Sequence, residues 1–147
     1  MSSPAAGGVV LDVGALRQMA TGASVYSRVA LATAIDRGYA LVVPAAVLAA
    51  ARARSSPAEA ARLHVFLDIG PVLPVELGPV DAETVGVLLA TADGSDPEDL
   101  AAGPAGAADL AAGHAALLAM RRHQRVVTDR PGVLRAVASD IEVDELP

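Results

Sequence analysis

Val9-Val10-Leu11-Asp12-Val13-Gly14-Ala15-Leu16 is an apolar run broken by one carboxylate and one glycine. A continuous β-branched and aliphatic run is the pattern of a strand covered on both faces in a parallel sheet. Val9 to Leu11 therefore predict a buried first strand, with Asp12 at its C-terminal end and Gly14 where the chain turns into a helix. In open α/β sheets ligands bind at that edge. Asp is also a preferred helix N-cap, so Asp12 has two readings at this stage: a site carboxylate or a cap.

Working outward, 147 residues suit one domain with a real core. The absence of cysteine excludes disulfides, thiolate metal ligands and thiol nucleophiles. The formal net charge of −6 argues against a broad nucleic-acid-binding face. With two Tyr, one Phe and no Trp, little is offered for stacking on unpaired bases, and the core must be made of Ala, Val and Leu. The opening Met1-Ser2-Ser3-Pro4 has neither a basic region nor an apolar core, and no apolar run approaches the roughly 18 residues of a membrane span. A cytoplasmic protein with no membrane partner is expected.

The segment after Asp12 predicts a helix from Ala15 to about Ala20, stopped by Thr21-Gly22, with Ser24 capping a second helix to about Asp36. In that second helix Val25, Val29, Ala32 and Ile35 recur at three- and four-residue spacing and form its apolar stripe. Tyr39 to Val43 is the second buried strand, with Pro44 opening a helix to about Arg54. Ser56-Pro57-Ala58-Glu59 has the capping-box pattern and starts a helix ending near Leu67. Two prolines restrict the stretch 69–76 to a short or edge strand.

A helix is expected from Asp81 to about Ala92, buried through Val85, Leu88 and Leu89. A mobile, acidic loop is expected at about 93–106, where Asp99-Leu100-Ala101-Ala102-Gly103 recurs ten residues later as Asp109-Leu110-Ala111-Ala112-Gly113. An Ala-rich helix from Ala107 to about His123, a strand Arg125–Thr128, a short helix Val133–Ala138 and an alternating edge strand 141–146 complete the chain. Strands separated by helices imply right-handed crossovers. The expected fold is α/β, a three-layer α/β/α sandwich with a mainly parallel central sheet of four or five strands in one domain spanning 1–147.

Val9 to Leu16, Leu41-Val42-Val43-Pro44-Ala45-Ala46-Val47-Leu48, His114 to Ala119 and Val126-Val127-Thr128-Asp129 together resemble, in order and spacing, the PIN-domain family, the fold of VapC-type ribonuclease toxins of bacteria. The resemblance covers nearly the whole chain. It implies an endoribonuclease ancestry in which about four carboxylates hold Mg²⁺ or Mn²⁺ to activate water. It also implies RNA, an antitoxin protein and a second copy of the chain as partners.

Carried over position by position, Asp12 matches the first acid. The second falls on Ala50, with Ala49 and Ala51 beside it. The third falls on Ala112, one helical turn from Asp109, which shares its face. At the fourth the family has Thr-x-Asp where this chain has Thr128-Asp129-Arg130, so Arg130 stands in the acid's place and Asp129 is shifted by one. An Arg there opposes a divalent ion and can pair with Asp12 instead.

Two functions follow. One is a PIN-like binding or regulatory module with an altered acidic site and impaired metal-dependent catalysis, needing no cofactor. The other is an active Mg²⁺-dependent endoribonuclease, the toxin of a toxin-antitoxin pair, using Asp12, Asp109 and Asp129 as catalytic and metal-binding residues. His114 is read as a packed or helix-end-bonded histidine or as a ligand or base, while His64 and His123 are read as solvent-facing. Arg52, Arg54 and Arg62, and Arg121, Arg122 and Arg125, are solvated helix faces or guides for an RNA backbone.

Overall fold

The computed structural model describes residues 7–92 and 104–147, with side chains in the second stretch from residue 110 onward. Five strands, β1 (Gly8–Leu11), β2 (Ala40–Pro44), β3 (Val72–Val75), β4 (Arg125–Thr128) and β5 (Val143–Glu145), form one sheet in the order β3-β2-β1-β4-β5. Every pairing is parallel, including Val10 opposite both Val42 and Val126. Val10, Leu11, Leu41, Val42, Val43, Val126 and Val127 are all buried, which is why these strands read as unbroken apolar runs.

The helices are α1 (Val13–Thr21), α2 (Val25–Arg37), α3 (Ala45–Ala53), α4 (Pro57–Leu67), α5 (Pro79–Ala90), α6 (Pro104–Arg122) and α7 (Pro131–Val137). Local chemistry sets their ends. Gly22 and Gly38 take left-handed φ of 63° and 69° behind α1 and α2, and Ser24 and Ser56 both close capping boxes. The chain moves from β1 to β2 to β3 in one direction, then returns past β1 to β4 and β5. With right-handed crossovers this reversal places α1, α2 and α4 on one face of the sheet and α5–α7 on the other, while α3 packs against both α1 and α6. The reversal between β1 and β4 is a topological switch point, whose open cleft lies at the C-terminal ends of those two strands.

Three sequence expectations are corrected. The helix α6 begins at Pro104, not at Ala107 or Asp109. Of the loop expected at 93–106, residues 104–106 belong to that helix, and 93–103 lie outside the described residues. On α2 the apolar stripe is turned away from the core: Val25, Val29 and Ile35 are 66%, 58% and 56% exposed, and the buried side chains are Ser27 and Ala34. Small residues on the inward face let α2 lie against its principal neighbour α1, above an apolar cavity bordered by Met19, Tyr26, Ala30, Leu41 and Val127. Among the described residues no helix is long and apolar enough to cross a membrane.

Candidate functional site

Asp12 leaves the end of β1 with its backbone N–H donating to Val127 O at 3.0 Å and its carbonyl accepting from Leu16 N at 2.9 Å. It therefore occupies the N-cap position of α1. Its side chain makes no capping bond. The carboxylate is wholly buried and turned across to β4. Oδ2 accepts from the Thr128 hydroxyl at 2.7 Å and from Arg130 Nε at 2.8 Å, while Oδ1 accepts from Arg130 Nη2 at 3.0 Å.

The parallel register sets this up. Leu11 pairs with Val127, so the next residue on each strand brings Asp12 beside Thr128. Thr128 Oγ1 also accepts the Arg130 backbone N–H at 3.0 Å, which fixes the turn that sends the guanidinium back over the carboxylate. The fork geometry of Arg matches both carboxylate oxygens. The gross attraction between unit charges about 3 Å apart is about 5 kcal/mol at an effective dielectric near 20. Arg130 is about one-fifth exposed and Asp12 not at all, so much of that attraction offsets the cost of taking the carboxylate out of water.

Asp129 goes the other way. It is exposed, and its carboxylate lies over Gly14 so closely that a Cβ there would collide with it. This places a negative charge at the N-terminal end of α1, where the unpaired amides favour an anion. It also borders a cavity of about 270 Å³ of mixed lining, whose walls include Arg17, Gln18, Ser55, Glu59 and Leu63. Arg17 and Glu59 sit 3.6 Å apart across that cavity and are both well solvated. Asp12 and Asp129 thus reach the same sheet edge but point apart, one inward and paired, the other outward over a helix end.

Ala50 and Ala112 are both buried in the apolar core, on α3 and α6, and supply no oxygen. The side chain of Asp109 lies outside the described residues. Among the described residues no cluster of three or more His, Asp and Glu is arranged to hold a metal ion. Among the described residues both oxygens of Asp12 are engaged by Arg130, and Ala50 on α3 and Ala112 on α6 offer only methyl groups.

His114 is fully buried on α6, and its Nδ1 accepts the backbone N–H of Ala46 at 3.3 Å, at the N-terminus of α3. That bond requires the neutral ring with its proton on Nε2. Burial pushes the His114 pKa down, with the Asp81 charge and the Glu76 backbone opposing the shift. Nε2 has no hydrogen-bond partner among the described residues. The histidine is thus packed and bonded to a helix end, the first of its two sequence readings, while His64 and His123 are exposed as expected.

The two arginine groups separate. Arg121 is 2.6 Å from Asp81, Arg125 is held by Glu142 and Asp144 at 3.1 and 3.2 Å, and Arg122 donates to Gln124 at 3.3 Å. Arg52, Arg54 and Arg62 are exposed and make no ion pair among the described residues. Sequence reasoning did not identify Thr128 as a partner of Asp12. The signal lay in its place in a strand, immediately ahead of the shifted acid.

No family model matches the sequence, and no curated protein matches it. Among solved structures the chain is similar to one in the crystal structure of VapBC2 from Rickettsia felis bound to a DNA fragment from its promoter, with a TM-score of 0.59 and 13% sequence identity. The likeness covers 94% of this chain and 98% of that one. The five-stranded parallel sheet and the seven helices among the described residues are therefore an α/β fold that the chain shares with that chain of the VapBC2 complex.

Proposed function

We propose that this protein is a PIN-like domain related to VapC-type toxin ribonucleases whose metal-dependent catalysis is impaired, and that it acts as a binding or regulatory module, with an antitoxin-class protein as its partner. The observation that carries the reading is the buried fork between Arg130 and Asp12 at the switch point. A divalent cation reaching Asp12 has to displace a guanidinium that already satisfies both oxygens. It would then find methyl groups at Ala50 and Ala112 in place of further oxygen ligands. Fold likeness to a chain from a toxin-antitoxin complex supports the choice of partner.

Isothermal titration of the protein with MnCl₂, alongside an RNA cleavage assay, tests the reading. The expected result is no saturable Mn²⁺ binding in the millimolar range and no metal-dependent cleavage. Saturable binding together with cleavage, both abolished by Asp12→Ala, would overturn it in favour of an active endoribonuclease with rearranged ligands. Mixing with a cognate antitoxin-class protein should give a complex whether or not metal is present.

A further inference from the structure

The small inward face of α2 leaves space near the end of the sheet opposite to Asp12. Val9 pairs with Leu41 on one side and with Arg125 on the other, so these three side chains share one face at the N-terminal ends of their strands. With Val127 they floor a cavity of about 540 Å³, which α2 roofs with Ala30, Thr33 and Ala34. That volume is within the range of small-ligand sites. The chain has only three aromatic residues besides histidine, two Tyr and one Phe. Phe66 is in the core, and both tyrosines, Tyr26 and Tyr39, line this one cavity, each 37% exposed. The charge beside them is acidic in balance. Arg125 belongs to the lining, but its guanidinium is already held by Glu142 at 3.1 Å and Asp144 at 3.2 Å, two carboxylates against one cation. Asp144 pairs with Val127 across β4 and β5, which puts it on the cavity's own face of the sheet. Burial and the Asp144 charge push the Tyr26 pKa up, with Arg125 opposing, so the hydroxyl keeps its proton beside that carboxylate.

We infer that this cavity is a binding site for a small amphipathic amine, an alkyl or aryl-alkyl ammonium whose apolar body lies on Val9, Leu41 and Val127 and whose cation meets the tyrosines and Asp144. A tyrosine ring attracts a cation over its face, more strongly once the cation has shed water. The second carboxylate supplies the counter-charge that Arg125 leaves uncompensated. An anionic ligand would instead have to compete with Asp144 and Glu142 for Arg125. An uncharged ligand of the same shape gains the apolar walls alone. Three residues of strand, about 10 Å, separate Val9 from Asp12, so the site is distinct from the acidic one.

Phenylpropylamine, phenylpropanol and phenylpropanoate share one body and differ in the charge of the head group, so they read the chemistry of the site directly. Titrated into ¹⁵N-labelled protein at neutral pH, the amine should give saturable amide shifts at residues 8–9, 26–34, 39–41 and 125–127. Its Kd should lie below about 1 mM and at least about tenfold below that of the carboxylate. Asp144→Asn removes the counter-charge and leaves the walls intact. It should weaken the amine at least about fivefold, leave the alcohol within about twofold and strengthen the carboxylate, because Arg125 is then held by one acid. Ala30→Leu fills the cavity from the roof and should abolish binding of all three probes. Thr33→Leu fills the same space from a half-buried position and serves as the second blocking variant, with circular dichroism and melting confirming the fold of each. No saturable shift with the amine at about 10 mM, binding of the carboxylate as tight as that of the amine, or unchanged amine binding in a folded blocking variant would each overturn the inference. None of these outcomes depends on metal binding or RNA cleavage, so the amine site and the reading of the acidic site fail separately.

Discussion

Replacing Arg130 by Met removes the guanidinium while keeping an unbranched apolar stem of similar length. Asp12, wholly buried in the native protein, then keeps the Thr128 hydroxyl as its surviving side-chain donor. Removing one partner of a buried ion pair costs about 3–5 kcal/mol, because a charge is left without compensation. The lower end applies here, since Arg130 is about one-fifth exposed and water can enter where it leaves. A loss near 3 kcal/mol in a domain of 147 residues lowers the melting temperature by about 6–12 °C. The double variant Asp12→Asn/Arg130→Met removes both charges and leaves an amide that still bonds to Thr128. It should recover most of the loss, giving a coupling energy of at least about 2 kcal/mol by urea denaturation. A coupling below about 0.5 kcal/mol, the range of exposed pairs, would refute the claim that Arg130 neutralises a desiccated carboxylate. Manganese reads the same site a second way. Arg130→Asp, which removes the guanidinium and adds a carboxylate beside Asp12, should melt higher with Mn²⁺ present, since a ligand that binds the folded state alone stabilises it. Wild type should not respond.

Two further outcomes are expected. Gly14→Ala adds a Cβ against the Asp129 carboxylate, so its effect alone should be within about 1 kcal/mol of zero. In an Asp129→Ala background the same change should stabilise by about 0.5–1 kcal/mol through helix propensity, as a urea double-mutant cycle would show. For His114 burial lowers the folded pKa below the unfolded value of 6.5, so the unfolded chain takes up the proton first as pH falls. The stability linked to this group is complete above that pH and declines below it. The difference in unfolding free energy between wild type and His114→Leu should therefore shrink from pH 7 to pH 5, and a pH-independent difference would show that the ring does not titrate with unfolding.

The strands were legible because a parallel strand covered on both faces has no polar face to interrupt it. Val9 to Leu11, Leu41 to Val43 and Val126 to Val127 could hardly be anything else at that length. The mainly parallel pairing followed from helices lying between the strands, whereas the order β3-β2-β1-β4-β5 did not, since intervening helices fix strand direction and not which strands are neighbours. Helix α2 was misread for a physical reason. Periodicity reports that one face is apolar, not which body that face is turned to, and on α2 the inward face is made of Ser27, Ala30 and Ala34. Helix α6 hid its N-terminus differently: residues 111–119 are all buried, so no stripe distinguishes one face from another. At the site, the three-residue motif Thr128-Asp129-Arg130 put Arg130 where the resemblance expects an acid. The closeness of Arg130 to Asp12, 118 residues away, needed the register of β1 against β4.

That register ties the fold to the chemistry. A sheet whose strand order reverses between β1 and β4 brings the ends of two buried strands together, so a carboxylate leaving β1 enters a space walled by apolar side chains and helix ends. It must be neutralised there. A divalent cation would neutralise it while keeping coordination positions for water or phosphate. Arg130 neutralises it by filling the oxygens, and guanidinium donors offer no such open position. The two solutions satisfy the fold equally and differ in chemistry and in what the fold depends on. A carboxylate balanced by a metal ties the protein's stability to metal concentration, whereas one balanced by an arginine in the same chain does not. The native melting temperature should therefore be the same in EDTA and in millimolar Mg²⁺, and a metal-dependent rise would show that Arg130 yields the site.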